Sequence, residues 1–211
     1  MTRLKICGFT GISDVETAAD LGVDYAGFIF VPGSPRMVSR SAAISLVAAC
    51  GPMIPIALFA GAETGEIVET VKACGFLGVQ LHGEEPPDFC VRLRRMLADI
   101  IIIKTFRPER PEEMERLAEY SVDFFLFDSA GPGSQGGTGR TIAPDLLGKA
   151  LDAAPRSFVA GGITIANAAE TIKRFHPFAL DTASGVESAP GRKDRALMRR
   201  LVATVKNNES S

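Results

Sequence analysis

Residues 54–81, IPIALFAGAETGEIVETVKACGFLGVQL, contain the unit of sequence from which the fold is predicted. The apolar run Ile54–Phe59 has the length and composition of a buried strand, and Leu77–Leu81 has the same character. Between them, Glu63–Cys74 is predicted to form a helix, with Gly75 at the position where a glycine commonly ends one. Two apolar strands joined by one helix predict neighbouring parallel strands with a right-handed crossover.

The same alternation continues along the whole chain. Eight strands and eight helices are predicted, which leaves about 26 residues for each strand–helix unit, enough for both elements and two short loops. Such alternation fits either an open doubly wound sheet or a closed (β/α)₈ TIM barrel of the α/β class, and the count of eight favours the barrel. The predicted strands are Leu4–Cys7, Tyr25–Phe30, Ile54–Phe59, Leu77–Leu81, Ile100–Thr105, Phe124–Asp128, Ser157–Ala160 and Phe178–Asp181.

Capping residues, glycines and prolines predict where the helices begin and end. Ser13 with Glu16 has the spacing of a capping box, and Gly22 follows the last turn of that helix. No linker or charge block divides the chain, so a single barrel domain is predicted over residues 1–206, with a polar tail, 207–211, that frays. The predicted helices are Ser13–Leu21, Ser41–Ala49, Glu63–Cys74, Pro87–Leu97, Pro111–Tyr120, Pro144–Ala153, Thr164–Phe175 and Asp194–Lys206.

Composition excludes several classes of protein. The formal net charge is −2, which gives no broad basic surface for nucleic acid, and 46% hydrophobic residues is ordinary for a globular chain. No apolar run approaches the roughly 20 residues of a membrane span. The opening sequence MTRLKICGFT has no apolar signal region, so a cytoplasmic location is expected.

The cysteines and histidines do not have the spacing of a metal site or a disulfide framework. The four cysteines form no C-x-x-C pair, and the two histidines, His82 and His176, are far apart. We therefore predict no metal. Cys50, Cys74 and Cys90 are interpreted as inert core residues.

The unusual residues follow the predicted strands, at the end of a barrel where catalytic groups collect. The glycine-rich segment after strand 6 formally matches G-x-G-x-x-G at 131–136, but the chain continues as loop instead of entering a helix, so a dinucleotide site is rejected. A loop of this length in a compact domain is typically functional. These segments are Cys7-Gly8, 31–36, 82–84, 128–141, Gly161-Gly162 and 184–187.

Glycines after strands 7 and 8 predict a phosphate site. Gly161-Gly162 and Ser184-Gly185 allow backbone N–H groups to approach an anion, and 184–187 leaves room for one short helical turn. Taken singly, each glycine is better explained as a plain turn glycine, and it is their occurrence together after strands 7 and 8 that favours phosphate.

Three side chains around the predicted mouth are candidates for chemistry. Cys7 ends strand 1, and Lys5, two residues earlier, lies on the same face, where its ammonium would favour the thiolate. Asp128 ends strand 6 at an apolar rim, where a carboxyl can serve as a general acid, although a loop cap is an equal alternative. Arg36 could bind a second anionic group through its guanidinium, or be a solvated surface charge. Lys104 and Arg107 are expected to be surface or rim charges.

Six motifs resemble those of the phosphoribosylanthranilate isomerase family of tryptophan biosynthesis. They occur in the family's order and cover nearly the whole chain. They are LKICGFT (4–10), GFIFVPGSPRMVS (27–39), GVQLHGEE (78–85), FDSAGPGSQGGTGRT (127–141), VAGGIT with Asn167 (159–167) and LDTASGVESAPGRKD (180–194).

The resemblance implies an Amadori rearrangement of N-(5-phosphoribosyl)anthranilate, catalysed without a cofactor. It makes Asp128 the general acid, Cys7 the general base and Arg36 the ligand of the anthranilate carboxylate. A phosphorylated small molecule is the expected partner, bound by a monomer or homodimer. The implied substrate-binding residues, besides Arg36, are Gly137, Thr138, Gly139, Gly161, Gly162, Asp181, Ser184, Gly185 and His82. For His82 a structural role is favoured over contact with substrate, because the implied mechanism leaves no step for it.

Ala183 departs from the family pattern, in which a serine commonly stands there, and this puts one polar contact near the phosphate in doubt. Two other readings stay open. A histidine-pathway Amadori isomerase typically has an aspartate at strand 1, where this chain has Cys7. A non-catalytic barrel would lack Cys7 or Asp128, and both are present.

Overall fold

Eight parallel strands close into a ring in chain order, which confirms the predicted (β/α)₈ barrel. The structure, a computed structural model, describes residues 1–129 and 142–207. The first and last strands complete the ring, with Lys5 in register with Asp181. The strands are β1 Arg3–Cys7, β2 Tyr25–Ile29, β3 Ile54–Phe59, β4 Gly78–Leu81, β5 Ile101–Phe106, β6 Phe124–Phe127, β7 Ser157–Val159 and β8 Ala179–Thr182.

Side chains alternate between the barrel interior and the layer beneath the helices, because successive residues of a strand point to opposite faces. Ile103 and Leu126 belong to an apolar cluster inside the barrel. Their neighbours Ile102 and Phe127 belong to the core between strands and helices. Burial on both faces explains why the strands appear in the sequence as nearly continuous apolar runs.

Aromatic side chains fill the end of the barrel where the strands begin. The rings of Phe124 and Phe178 stack with centroids 4.7 Å apart. The Arg3 guanidinium lies 4.9 Å from the centroid of Phe178 and donates a hydrogen bond of 2.9 Å to the Tyr25 hydroxyl. This end is therefore packed with side chains, and the predicted catalytic residues lie at the opposite end, where the strands finish.

Helical segments surround the barrel. Between β5 and β6 the predicted helix Pro111–Tyr120 is a 3₁₀ helix, Pro111–Glu119, in which Leu117 alone is buried, so packing does little to favour the α form. The α-helices are α1 Ile12–Leu21, α2 Arg40–Ala48, α3 Thr64–Cys74, α4 Pro87–Met96, α5 Pro144–Ala153, α6 Ala168–Phe175 and α7 Arg195–Asn207.

The start of α1 differs from the sequence prediction, and its end agrees. Gly11 is the N-cap, and the Val15 N–H donates to its carbonyl at 3.3 Å, so Ser13 lies inside the first turn. The predicted capping box of Ser13 and Glu16 is therefore wrong. Gly22 ends the helix in the left-handed region with φ of 78°, which glycine adopts without steric cost.

Two segments near β8 also differ from the prediction. α6 starts at Ala168 instead of Thr164, because the Asn167 side chain accepts the Thr164 N–H at 2.8 Å and holds a turn there. An antiparallel hairpin, β9 Glu187–Ala189 and β10 Arg192–Lys193, precedes α7. Strands of two and three residues are too short to show a periodic pattern.

α7 brings the chain back to the end of the barrel where β1 begins. Lys206 Nζ donates to the Leu21 carbonyl at 3.1 Å, and Thr2 Oγ1 donates to the Pro177 carbonyl at 3.1 Å. α7 includes Asn207, and positions 208–211 of the predicted tail lie outside the described residues. None of the helices within the described part of the chain is long and apolar enough to cross a membrane.

Candidate active site

The Cys7 side chain lies at the carboxyl end of β1, inside the barrel mouth. It is buried, and its register partner on β2 is Gly27, where an added Cβ would stand 2.7 Å from the Cys7 sulfur. A larger residue at position 27 would displace the thiol. Sequence reasoning missed this role of Gly27, although a glycine inside an apolar strand often marks such a close approach.

The expectation that the Lys5 ammonium favours the Cys7 thiolate holds only in part. Burial raises the pKa of the Cys7 thiol above its usual value, against the opposing effect of the Lys5 ammonium. Asp181 raises that pKa further, and Lys193 lowers it. Lys5 therefore favours the thiolate, as the sequence suggests, but does not outweigh the desolvation of the sulfur.

Lys5 and Asp181 form a buried ion pair beside this thiol, with 2.9 Å between Nζ and Oδ1. The pair follows from barrel closure, since both residues point inward from adjacent, in-register strands. Burial raises the pKa of Asp181 above its usual value, and the nearby Asp128 carboxylate raises it further, while Lys5 opposes both effects. Asp181, predicted to bind substrate, is thus engaged by Lys5.

Asp128 directly follows β6 and faces His82. Its N–H continues the strand pairing by donating to the Phe106 carbonyl at 3.1 Å. Its Oδ2 lies 3.8 Å from Nε2 of His82, which follows β4. The structure therefore brings two of the predicted site residues together across the mouth.

A polar network inside the barrel orients the His82 ring. Nδ1 lies 3.0 Å from the Thr105 hydroxyl and 3.2 Å from Gln80 Nε2, so the opposite nitrogen points at Asp128. Burial, followed by the charges of Arg107, Lys5 and Lys104, lowers the pKa of His82 to about 3. The imidazole is therefore neutral at pH 7.

The loops after β7 and β8 pack against each other, where the glycines predict a phosphate site. Gly161 and Gly162 have φ of 82° and 77°, and Asn167 Nδ2 donates to the Gly162 carbonyl at 2.9 Å. A Cβ on Gly161 would stand 2.1 Å from the Ser129 hydroxyl, next to Asp128. Only glycine permits this contact between the β7 loop and the residue after Asp128.

The β8 loop has the predicted short helical turn, a 3₁₀ helix over Ser184–Val186. A Cβ on Gly185 would stand 2.1 Å from the Ile163 carbonyl, and the Thr182 hydroxyl donates to that same carbonyl at 2.7 Å. The two glycine-containing loops therefore form one continuous backbone surface at the mouth.

Arg36 reaches the mouth from the β2–α2 loop and is held by Glu187. Arg36 Nη2 lies 2.6 Å from Glu187 Oε2, and Nε lies 2.9 Å from Oε1. Glu187 Oε1 also accepts from Lys193 Nζ at 2.8 Å. Burial pushes the pKa of Glu187 upward, but the hydrogen bonds from Arg36 and Lys193 bring it below its usual value. Sequence reasoning did not identify Glu187 as the partner of Arg36, or Lys193 as the second partner of Glu187.

Lys104 is not the surface charge that the sequence suggests. It points outward from β5 into the helix layer, is 2% exposed and pairs with Glu85 at 2.9 Å. Arg107 lies nearer the rim, where its Nη2 donates to the His82 carbonyl at 3.0 Å. The pattern of residues along β5 does not show that the buried Glu85 carboxylate lies beside Lys104.

The remaining predictions concern cysteines, metals and the long loop. Cys50, Cys74 and Cys90 are buried as predicted, and burial raises the pKa of Cys50 to about 12 and that of Cys90 to about 11. Residues 1–129 and 142–207 hold no group of three or more His, Cys, Asp or Glu side chains suited to a metal ion. The predicted substrate-binding residues Gly137, Thr138 and Gly139 lie outside the described residues.

Comparison with known proteins covers essentially the whole chain. Residues 4–204 match the family model described as N-(5'phosphoribosyl)anthranilate (PRA) isomerase. The chain is 39% identical to N-(5'-phosphoribosyl)anthranilate isomerase of Pelobacter propionicus, over 100% of this chain and 98% of that protein. It is 38% identical to the protein of the same name from Geobacter sp. strain M21, over 98% of both chains.

Solved structures give the same result. Phosphoribosyl anthranilate isomerase from Thermus thermophilus superposes with a TM-score of 0.85 at 33% identity, covering 98% of this chain and 99% of that chain. A phosphoribosyl anthranilate isomerase in complex with reduced 1-(o-carboxyphenylamino)-1-deoxyribulose 5-phosphate has a TM-score of 0.84 at 29% identity, covering 98% of this chain and 100% of that chain.

Proposed function

The chain belongs to the N-(5'-phosphoribosyl)anthranilate isomerase family, and we propose that Cys7 is its general base and Asp128 its general acid. It is an isomerase of tryptophan biosynthesis. It converts N-(5-phosphoribosyl)anthranilate into 1-(2-carboxyphenylamino)-1-deoxyribulose 5-phosphate by an Amadori rearrangement. The observation that carries the assignment of roles is the position of the two side chains, at the carboxyl ends of β1 and β6 on either side of the glycine loops.

The proposed first step is ring opening. Asp128 protonates the furanose ring oxygen, and the C1′–O bond breaks as the anilino nitrogen supplies its electron pair, giving a Schiff base. Asp128 is left as the carboxylate.

The proposed second step is removal of the C2′ proton. The Cys7 thiolate takes this proton, the electron pair moves toward the iminium nitrogen, and the resulting enol tautomerises to the ketone. Because burial raises the Cys7 pKa, the thiol form dominates at neutral pH, and the Lys5 and Lys193 ammonium groups stabilise the thiolate when it forms. Such a base becomes more available as the pH rises.

The two ends of the substrate are assigned to separate anion sites. The phosphate is placed against the backbone of Gly161-Gly162 and Ser184-Gly185, whose packed loops suit close backbone approach. The anthranilate carboxylate is placed at the Arg36 guanidinium. A monomer or a homodimer in the cytoplasm is the proposed working form. One of the similar structures is of generated monomers of a dimeric isomerase from Thermotoga maritima, so both forms occur among the similar proteins.

The test follows the fluorescence of phosphoribosylanthranilate, which is lost on conversion, after adding purified protein. Enzyme-dependent loss of signal is expected, together with formation of the ketose product. The double variant Cys7→Ser/Asp128→Asn, prepared in the same way, controls for a contaminating isomerase. A signal that stays constant at high enzyme concentration, or an equal rate with the double variant, would overturn the proposal.

A further inference from the structure

The Arg36 guanidinium is engaged along one edge before any substrate binds. Glu187 occupies the edge formed by Nε and Nη2, with contacts of 2.9, 3.1 and 2.6 Å. A guanidinium can bind carboxylates along two edges, and the second edge includes Nη1. The ion pair is shielded from water, since the side chains of Arg36 and Glu187 are 13% and 4% exposed.

The Glu187 carboxylate also connects Arg36 to the Cys7 backbone. Lys193 Nζ, which bonds Glu187 Oε1 at 2.8 Å, donates to the Cys7 carbonyl at 2.5 Å and to the Ala183 carbonyl at 3.2 Å. The Gly191 N–H adds a fifth contact to the carboxylate, at 3.3 Å. Glu187 and Lys193 together therefore link the loop after β2 to the carboxyl end of β1 and to the loop after β8.

The charges of this cluster suit a second carboxylate. Arg36 and Lys193 each carry one positive charge, and Glu187 carries one negative charge, so the three side chains together keep a net positive charge. Gly8 lets the arginine lie close to β1, because a Cβ there would stand 2.6 Å from Arg36 Cδ. The position of the guanidinium and the net positive charge of the three side chains therefore follow from the protein's own contacts.

We propose that Glu187 is a positioning residue, which fixes the Arg36 guanidinium so that the edge including Nη1 receives the carboxylate of the substrate's aromatic ring. The inference rests on the proposed role of Arg36 and goes beyond it by naming the group that orients this arginine. A positioning role and a purely electrostatic role of Glu187 predict opposite changes in the affinity for this carboxylate. Removing the Glu187 charge makes the cluster more positive, so a purely electrostatic role would strengthen carboxylate binding, whereas lost orientation weakens it.

The experiment is a double-variant cycle with steady-state kinetics. Glu187→Gln is expected to raise KM roughly tenfold, the size of one weakened charge-assisted hydrogen bond, with kcat changed far less. Arg36→Met is expected to raise KM as well, and Glu187→Gln is expected to add nothing in the Arg36→Met background. Glu69→Gln, which alters an exposed Arg–Glu pair on α3, is the matched control and should leave KM unchanged.

Two small inhibitors, each resembling one end of the substrate, test which end depends on Glu187. Inhibition by anthranilate should weaken in Glu187→Gln, while inhibition by inorganic phosphate should not change, a difference that a general loss of stability would not produce. Glu187→Asp keeps the charge balance if Glu187→Gln fails to fold, and its shorter side chain should still raise KM. An unchanged or lower KM in a folded Glu187 variant would overturn the inference. An unchanged KM in Arg36→Met would instead overturn the proposed role of Arg36.

Discussion

Lys5 Nζ and Asp181 Oδ1 lie 2.9 Å apart inside the barrel, on the strands that close the ring. Their opposite charges act on the same thiol, since Lys5 lowers and Asp181 raises the pKa of Cys7. The ion pair therefore has a chemical consequence besides holding β1 against β8.

We expect the two partners to shift the pH–rate profile in opposite directions. Lys5→Met removes the charge that stabilises the thiolate, so the rise of kcat/KM with pH should move to higher pH. Asp181→Asn removes the opposing charge, so the rise should move to lower pH. Thiolate absorbance titrations, with Cys7→Ser as the reference, measure the same shifts directly. Shifts in the same direction would contradict this account.

Both variants break a buried pair, at a cost of about 3–5 kcal/mol of folding stability. Folding is therefore checked by circular dichroism at the assay temperature before rates are compared.

Removal of either proposed acid–base group should abolish most turnover. Cys7→Ser and Asp128→Asn are each expected to lower kcat about 10²–10⁴-fold. A serine hydroxyl is too weak an acid to form the base at neutral pH, and an amide N–H is too weak an acid to replace the carboxyl. Cys74→Ser, which alters a buried cysteine at the end of α3 whose thiol faces the Arg40 carbonyl of α2, should keep normal kinetics. Near-normal turnover in Cys7→Ser or Asp128→Asn would refute the role of that residue.

Gly161 should be more sensitive to substitution than another glycine with the same backbone. Gly161 and Gly75 have φ of 82° and 77°, so alanine at either position should cost about 1–2 kcal/mol of stability. A Cβ at position 75 meets nothing within 4 Å, whereas one at 161 would collide with Ser129. We therefore expect Gly161→Ala alone to reduce kcat/KM. Equal activities in the two variants would show that the Ser129 contact does not matter.

His82 should make the fold sensitive to acid. Its pKa of about 3 in the folded protein lies below the value of about 6.5 expected in the unfolded chain. At a pH between these two values, the unfolded state therefore binds more protons than the folded state. The free energy of unfolding should therefore decrease as the pH falls below about 6.5, by about 1–2 kcal/mol at pH 5.

Urea denaturation at both pH values measures this effect. His82→Gln should show a smaller loss on acidification, and His176→Gln, which removes the exposed histidine, is the control. Equal losses in wild type and His82→Gln would contradict the assignment.

The sequence predicts those parts of the fold that local patterns determine. The apolar run Ile54–Phe59 is a strand with the same bounds in the structure, and Gly22 and Gly75 end helices as expected. The order of the strands and the location of the site follow from the number of such runs and from the residues that come after them.

Contacts between distant residues were not predictable in the same way. Arg36 and Glu187 are 151 positions apart, and nothing in either local pattern indicates that the two meet. The sequence predicts Lys104 to be a surface or rim charge, but its side chain is buried and paired with Glu85. The capping box at Ser13 failed for a related reason, because Gly11 supplies an earlier turn that the residue pattern does not show.

The hydrogen bonds of Thr2 to Pro177 and of Lys206 to Leu21 bring both ends of the barrel chain to the face opposite the mouth. A polypeptide fused beyond either end therefore begins on the far side of the molecule from the substrate. Because both ends lie on one face, the fold is suited to circular permutation. A linker could join residue 207 to Met1, and a new opening in a surface loop on that face would leave the ring of eight strands and its catalytic groups in place.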